Sequence, residues 1–129
     1  MNIGEVAKAT GISQRMIRHY ETIGVITPPA RRDSGYRDYG TRDLHDLHFI
    51  ARARDLGFSI EDIGRLLALW RDRERSSAEV KALALARVAE LRAKERALKE
   101  MRLSLERLAG ACQGDERPDC PILSGLAEA

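Results

Sequence analysis

From Ser76 onward the chain has no glycine or proline until Gly110. Nothing in that stretch breaks a helix, and Ser76 with Glu79 has the form of a capping box that would start one. The expectation is one uninterrupted helix of roughly 30 residues, about 45 Å at 1.5 Å per residue. Along it Ala84, Leu91, Leu98 and Leu105 recur at heptad spacing, flanked by Val88, Met101 and Leu108, with Lys, Arg and Glu filling the rest. Such a seam needs a partner. The helix could pack back on its own head, but in a chain of 129 residues that head is too small to cover the whole length. The length permits one compact domain, or a small head joined to an extended element, and excludes two large cores.

The rest of the composition narrows the setting. No apolar run is long enough to span a membrane, and the N-terminus lacks the basic and apolar regions of a signal peptide, so a cytoplasmic location and no membrane partner are expected. In that compartment the two cysteines, Cys112 and Cys120, are free thiols or metal ligands rather than a structural disulfide. The formal net charge of +2 argues little for nucleic acid, but its distribution argues more. Residues 1–40 hold Lys8, Arg15, Arg18, Arg31, Arg32 and Arg37 against Glu5, Glu21, Asp33 and Asp38. Residues 112–129 hold only Arg117 against Asp115, Glu116, Asp119 and Glu128, so the positive end is the N-terminus.

Asn2 followed by Glu5 predicts a capped first helix running to about Ala9, with Ile3, Val6 and Ala7 on one face. Thr10-Gly11-Ile12-Ser13 then supplies a turn and a second cap, and a second helix carries Met16, Ile17 and Tyr20 inward. Two short helices so joined form a helix-turn-helix, with Arg15, Arg18 and His19 turned away from the core. Val25-Ile26-Thr27 is β-prone, Pro28-Pro29 stops it, and Tyr36-Arg37-Asp38-Tyr39 follows a Ser34-Gly35 turn, which predicts a small hairpin or wing. Thr41 is the expected cap of a third helix ending at Gly57, and Ser59 with Asp62 restarts a fourth through Trp70. Arg71–Arg75 reads as a connector.

The string Met1-Asn2-Ile3-Gly4-Glu5-Val6-Ala7, then Ile17-Arg18-His19-Tyr20-Glu21 and Gly24, then Gly35-Tyr36-Arg37-Asp38-Tyr39, closely resembles the start of MerR-family regulators. The likeness continues through Arg54, Gly57, Phe58 and Ile63 into the long helix. It implies a mainly α fold: a winged helix-turn-helix head with a β-hairpin wing (1–75), a long antiparallel coiled-coil dimerisation helix (76–109), and a metal-binding loop with a C-terminal tail (110–129). The implied partners are promoter double-stranded DNA, RNA polymerase at that promoter, and a second copy of the chain. By the same resemblance Arg18 and Tyr20 on the second helix, and Tyr36 and Arg37 on the wing beside Arg31, contact phosphates, while Arg15 is the candidate for reaching base edges. The residue types suit this, because arginine offers fixed charged donors and a tyrosine hydroxyl adds a neutral one beside an anchoring ring. Tyr20, Tyr36 and Tyr39 read equally as half-buried aromatics, with rings packed and hydroxyls available.

Cys112 and Cys120 enclose Gln113-Gly114-Asp115-Glu116-Arg117-Pro118-Asp119, a Cys-x7-Cys loop that resembles the sensor loop of the copper efflux regulator (CueR) branch of that family. A cysteine pair by itself is weak evidence, since free cysteine is often a small buried hydrophobe; its place after the long helix adds weight. Two thiolates suit a soft monovalent ion, Cu(I) first and Ag(I) or Au(I) as alternatives, whereas structural zinc usually takes four ligands. His19, His45 and His48 all lie in the head. Two thiolates around a +1 ion leave one negative charge; the resemblance sets that site against the start of the partner's long helix, where the helix dipole and Lys81 offset it. Ser77 stands where zinc- and mercury-sensing branches carry a further cysteine, which favours the monovalent reading; it also reads as a helix cap. The tail from Ser124 to Ala129 lacks the extra cysteines and histidines of some relatives, so no second metal site is expected there.

The resemblance further implies an activator that sits on the promoter with or without metal and, when metal binds, bends and untwists an over-long spacer to switch on copper-efflux genes. No enzymatic constellation is visible. A thiol redox-sensing regulator using Cys112 and Cys120 is the alternative, and a coiled-coil adaptor would leave the N-terminal arginine and tyrosine pattern without a use.

Overall fold

The computed structural model describes residues 1–128 and divides them into two compact units, Met1–Ala84 and Leu85–Ala129. The first opens with α1 (Ile3–Thr10), capped as expected: Asn2 Oδ1 accepts from the Glu5 backbone N–H at 2.8 Å, and Glu5 Oε1 accepts from Asn2 N–H at 3.2 Å. Gly11, at φ 75°, ends it in the left-handed conformation that costs glycine nothing. Ser13 Oγ then caps α2 (Gln14–Thr22) by accepting from Met16 N–H. Val6, Ile12, Ile17 and Tyr20 from this pair are each at most 1% exposed, and they meet Leu47 and Ile50 of α3 (Thr41–Asp55) and Ile63 and Leu67 of α4 (Ile60–Arg71) in one core.

Two boundaries differ from expectation. The β-prone Val25-Ile26-Thr27 forms no strand, because Val25 and Ile26 N–H both donate to the Tyr20 carbonyl and so finish the end of α2, while the Ile26 side chain enters the core. The wing lies further along, as a single antiparallel bridge between Arg31 and Arg37, tightened by Arg32 N–H to Tyr36 O and Asp38 N–H to Ala30 O, both 2.8 Å. Gly40, not Thr41, occupies the N-cap of α3, its N–H donating to Asp43 Oδ2 at 2.9 Å. Gly57, at φ 81°, closes α3 as predicted, and Ser59 Oγ caps α4 by accepting from Asp62 N–H. Asp46 on α3 holds Arg71 at the end of α4, at 2.6 Å.

The long helix, α5 (Ser77–Ala111), runs 35 residues and passes through Gly110. Its first turns belong to the head unit, where Leu83 is buried and Glu79 lies 4.0 Å from Arg65. Beyond them the seam is bare: Leu98, Met101 and Leu105 are 61%, 56% and 58% exposed. The segment after the loop, expected to be a tail, contains a short helix α6 (Pro121–Ala127), with Pro121 at the first helical position where its missing N–H costs nothing. No helix among the described residues is long and apolar enough to cross a membrane.

Candidate nucleic-acid interface and metal site

Arg15 and Arg18 lie exposed on α2, the second helix of the helix-turn-helix. Tyr36 stands at the wing tip and is 73% exposed. Arg31 is exposed too, but its Nη1 donates to the Gly35 carbonyl at 2.8 Å, so the same guanidinium that would meet a phosphate also ties the wing closed. Arg37 is half-buried: its Nε donates to Glu21 Oε2 at 2.9 Å. These residues share one folded unit, with Arg15 and Arg18 on a helix and Arg31, Tyr36 and Arg37 on the wing.

The expectation for Tyr20 needs correction. It is among the largest fully buried side chains, so it is first a core aromatic and offers no ring face to a ligand. At 1% exposure it has almost no surface with which to meet a phosphate. Tyr39 is different again. It is buried, its hydroxyl donates to Glu21 Oε1, and burial first, then the Glu21 carboxylate, pushes its phenol above the ordinary range.

Glu21 is the residue that sequence reasoning missed. Charge distribution and the family-like string both include it without giving it a role, yet it is the buried acid on which Arg37 and Tyr39 converge. The available signal was an acid directly after Tyr20 on an otherwise basic helix. The wing has a second tie: the Met1 ammonium donates to Asp38 Oδ1 at 3.1 Å and to the Tyr39 carbonyl at 3.0 Å, and Arg32 donates to the same Asp38 oxygen at 3.2 Å. The ammonium, then the guanidinium, holds the Asp38 carboxyl below the usual carboxylate range.

In the other unit, Cys112 follows the last turn of α5, its N–H donating to Ala109 O, and Cys120 is the N-cap residue of α6. Gly114, at φ 66°, turns the loop between them, and Asp115 accepts from both the backbone N–H and Nε of Arg117. Both thiols are free and half-buried. The Leu123 backbone N–H, opposed by burial and aided by the Ile122 backbone N–H and the Cys112 thiol, holds the Cys120 thiol below its ordinary range. Gly125 lets α6 lie close to the end of α5: a Cβ there would stand 2.9 Å from Leu108 Cδ2. Among the described residues no group of three or more His, Cys, Asp and Glu side chains is arranged to hold a metal. Ser77 and Lys81 lie exposed on the first turns of α5, in the head unit; His19 and His45 are exposed and His48 half-buried in that unit.

The model of the MerR helix-turn-helix regulatory proteins matches residues 1–70, and that of the MerR DNA-binding region matches residues 44–108. The chain belongs to the MerR family. Heavy metal-dependent transcription regulator 2 of Rhizobium meliloti (strain 1021) is 58% identical, with 98% of this chain and 86% of that protein covered. The transcriptional regulator CueR of Escherichia coli O157:H7 is 44% identical, with 98% and 94% covered. The regulator PbrR691 of Ralstonia metallidurans CH34, solved in complex with lead(II), superposes with a TM-score of 0.80 at 33% identity, covering 98% of this chain and 99% of that one. This MerR-family chain is a transcription regulator, not an enzyme, with a helix-turn-helix head followed by a coiled-coil helix.

Proposed function

We propose that this MerR-family chain is a homodimeric, metal-responsive transcriptional activator whose Cys112 and Cys120 sense copper(I), silver(I) and gold(I) being ions of the same chemistry. The observation that carries this is a pair of free cysteines at the two ends of one loop, Cys112 after α5 and Cys120 at the cap of α6, with no group of three or more His, Cys, Asp and Glu among the described residues arranged to hold a metal. Two sulfurs satisfy a soft monovalent ion and leave zinc or lead short of ligands within one chain. Names among the relatives include heavy-metal regulators, CueR and a lead(II) complex, and these support a metal effector; the copper reading rests on the donor set and on serine at position 77.

In this reading the bare seam of α5 pairs with a second copy, which covers Leu98, Met101 and Leu105. Arg18, Arg31, Tyr36 and Arg37 engage phosphates, and Arg15 reaches base edges. The partner's Ser77 and Lys81 face the thiol loop, where the lysine and the N-terminal end of α5 offset negative charge. Cys112 and Cys120, as thiolates, would hold the ion, and coordination by both would restrain the loop. The dimer then favours the state in which promoter DNA is bent and untwisted, so that both polymerase elements face RNA polymerase.

The test is transcription in vitro from a promoter the protein binds, with RNA polymerase and either copper(I) or zinc(II) under anaerobic, reducing conditions. Activation by copper(I) and not by zinc(II) is the expected result. Two free cysteines on one loop also fit a redox switch, in which a two-electron oxidant such as a peroxide takes both thiols to a disulfide and is itself reduced. Copper(I) activation of fully reduced protein excludes that reading, and activation only after oxidation establishes it.

A further inference from the structure

Glu21 is the buried charged residue of the head, its side chain 5% exposed, and the proposed contacts with DNA give it no part. It sits on the last turn of α2, three residues beyond Arg18, with both oxygens taken by the returning side of the wing: Arg37 Nε on Oε2 and the Tyr39 hydroxyl on Oε1. The wing itself is slight. It has one bridge, a tip tyrosine standing 73% exposed, and no strand that joins it to a sheet. Its own hydrogen bonds, Arg31 to Gly35, Arg32 to Tyr36 and Asp38 to Ala30, define its shape; Met1 ties its returning side to the start of the chain, and the Glu21 contacts tie that side to α2.

A carboxylate buried this way is poor value for stability alone. An apolar trio of similar volume would avoid the desolvation of two charges, and buried pairs are best understood where they fix one arrangement among several. Here the arrangement fixed is wing against helix. Glu21 also takes Nε of Arg37, which leaves the two Nη groups of that guanidinium as donors for a phosphate. We propose that Glu21 is a positioning residue for operator recognition, one that touches no DNA and sets the wing, through Arg37 and Tyr39, at the angle where its contacts and those of α2 fall on the same duplex. This rests on the DNA-binding reading above and assigns a role within that site.

The sign of the effect makes the test clear. Removing a negative charge from a basic DNA-binding face should, by electrostatics alone, strengthen binding to any duplex. A positioning role requires the opposite for the correct duplex only. The probes are a duplex selected by the full-length parent dimer from a randomised pool, and a scrambled duplex of the same length. Glu21→Gln is expected to weaken binding to the selected duplex about tenfold, the scale of a lost charge-assisted contact, and to leave binding to the scrambled one unchanged or stronger. A hydroxyl-radical footprint should lose protection at the outer, wing-contacted phosphates and keep it at those under α2. Equal or tighter binding of the selected duplex overturns the proposal, and so does equal weakening on both duplexes, the mark of a folding defect. Should Glu21→Gln prove unfolded by circular dichroism, Tyr39→Phe removes one of the two bonds and keeps the Arg37 pair; a loss of about threefold on the selected duplex alone supports the role, and no loss overturns it. Failure of the parent to select any duplex instead overturns the DNA-binding reading, and the positioning role with it.

Discussion

Arg18 and Arg37 are alike in sequence reasoning, two arginines assigned to phosphate, but alanine at each should have different consequences for stability. Arg18 is exposed on α2, so Arg18→Ala should change the free energy of unfolding by no more than about 0.5 kcal/mol. Arg37→Ala leaves the Glu21 carboxylate, 5% exposed, without its cation. Breaking a fully buried pair from one side costs about 3–5 kcal/mol. Arg37 is 28% exposed and Tyr39 still donates to Glu21, so about 2 kcal/mol is the better figure. For a domain of this size that corresponds to a fall in Tm of roughly 8–16 °C. Calorimetry and urea unfolding of metal-free, reduced protein at one fixed protomer concentration would measure it, since dimerisation makes Tm depend on concentration. Combining Arg37→Ala with Glu21→Gln should recover part of the loss, because a neutral amide is cheaper to leave buried, and the cycle isolates the coupling. On DNA both arginine variants should lower the salt dependence by about one counterion-release unit. Equal melting temperatures for Arg18→Ala and Arg37→Ala, or no recovery in the double variant, would refute the reasoning.

Cys112→Ser or Cys120→Ser should abolish copper-induced transcription while the dimer and its affinity for DNA survive, because the loop lies beyond the α5 seam; induction retained in a Cys112→Ala, Cys120→Ala variant sinks the site. Ser77→Cys should raise the affinity for zinc(II) or mercury(II) more than that for copper(I), since a third thiolate adds negative charge and coordination number; an unchanged zinc-to-copper ratio in competition binding removes Ser77 from the metal's surroundings. The depressed Cys120 thiol holds more thiolate in the folded protein than an unfolded chain does, so iodoacetamide should alkylate it faster than the cysteine of a short control peptide as pH falls from 8 toward 7, roughly the interval below the ordinary thiol value. Mass mapping of the alkylated site gives the rates, and equal rates at every pH contradict the shift.

What could be read from the sequence was mostly local. Asn2, Ser13 and Ser59 cap helices through contacts three residues away, and Gly11 and Gly57 end them through a conformation that other residues pay to adopt. The uninterrupted run after Ser76 likewise announces α5. Val25-Ile26-Thr27 misled because β-propensity describes a side chain on a sheet surface, whereas here the Tyr20 carbonyl claims two of the N–H groups. The helix α6 was missed because Ser124 and Gly125 are weak helix formers; Gly125 is there for its proximity to Leu108, which no local pattern encodes. In the candidate metal site both cysteines are legible as residues, but the turn at Gly114 and the helix α6 that set the loop between them are not. Glu21 and Arg37 meet across 16 positions, and at that separation only the folded chain shows that the acid serves the wing.

The uncovered leucines of α5 connect this regulator to its own abundance. A chain that leaves Leu98 and Leu105 about three-fifths exposed when alone makes its persistence a matter of mass action: halving the number of copies acts on it in the same direction as warming it. At the few copies a regulator needs, two half-sites on one duplex would hold two chains at an effective concentration far above that of the surrounding solution. The operator would then do more than receive the protein, because it would also hold its two chains together.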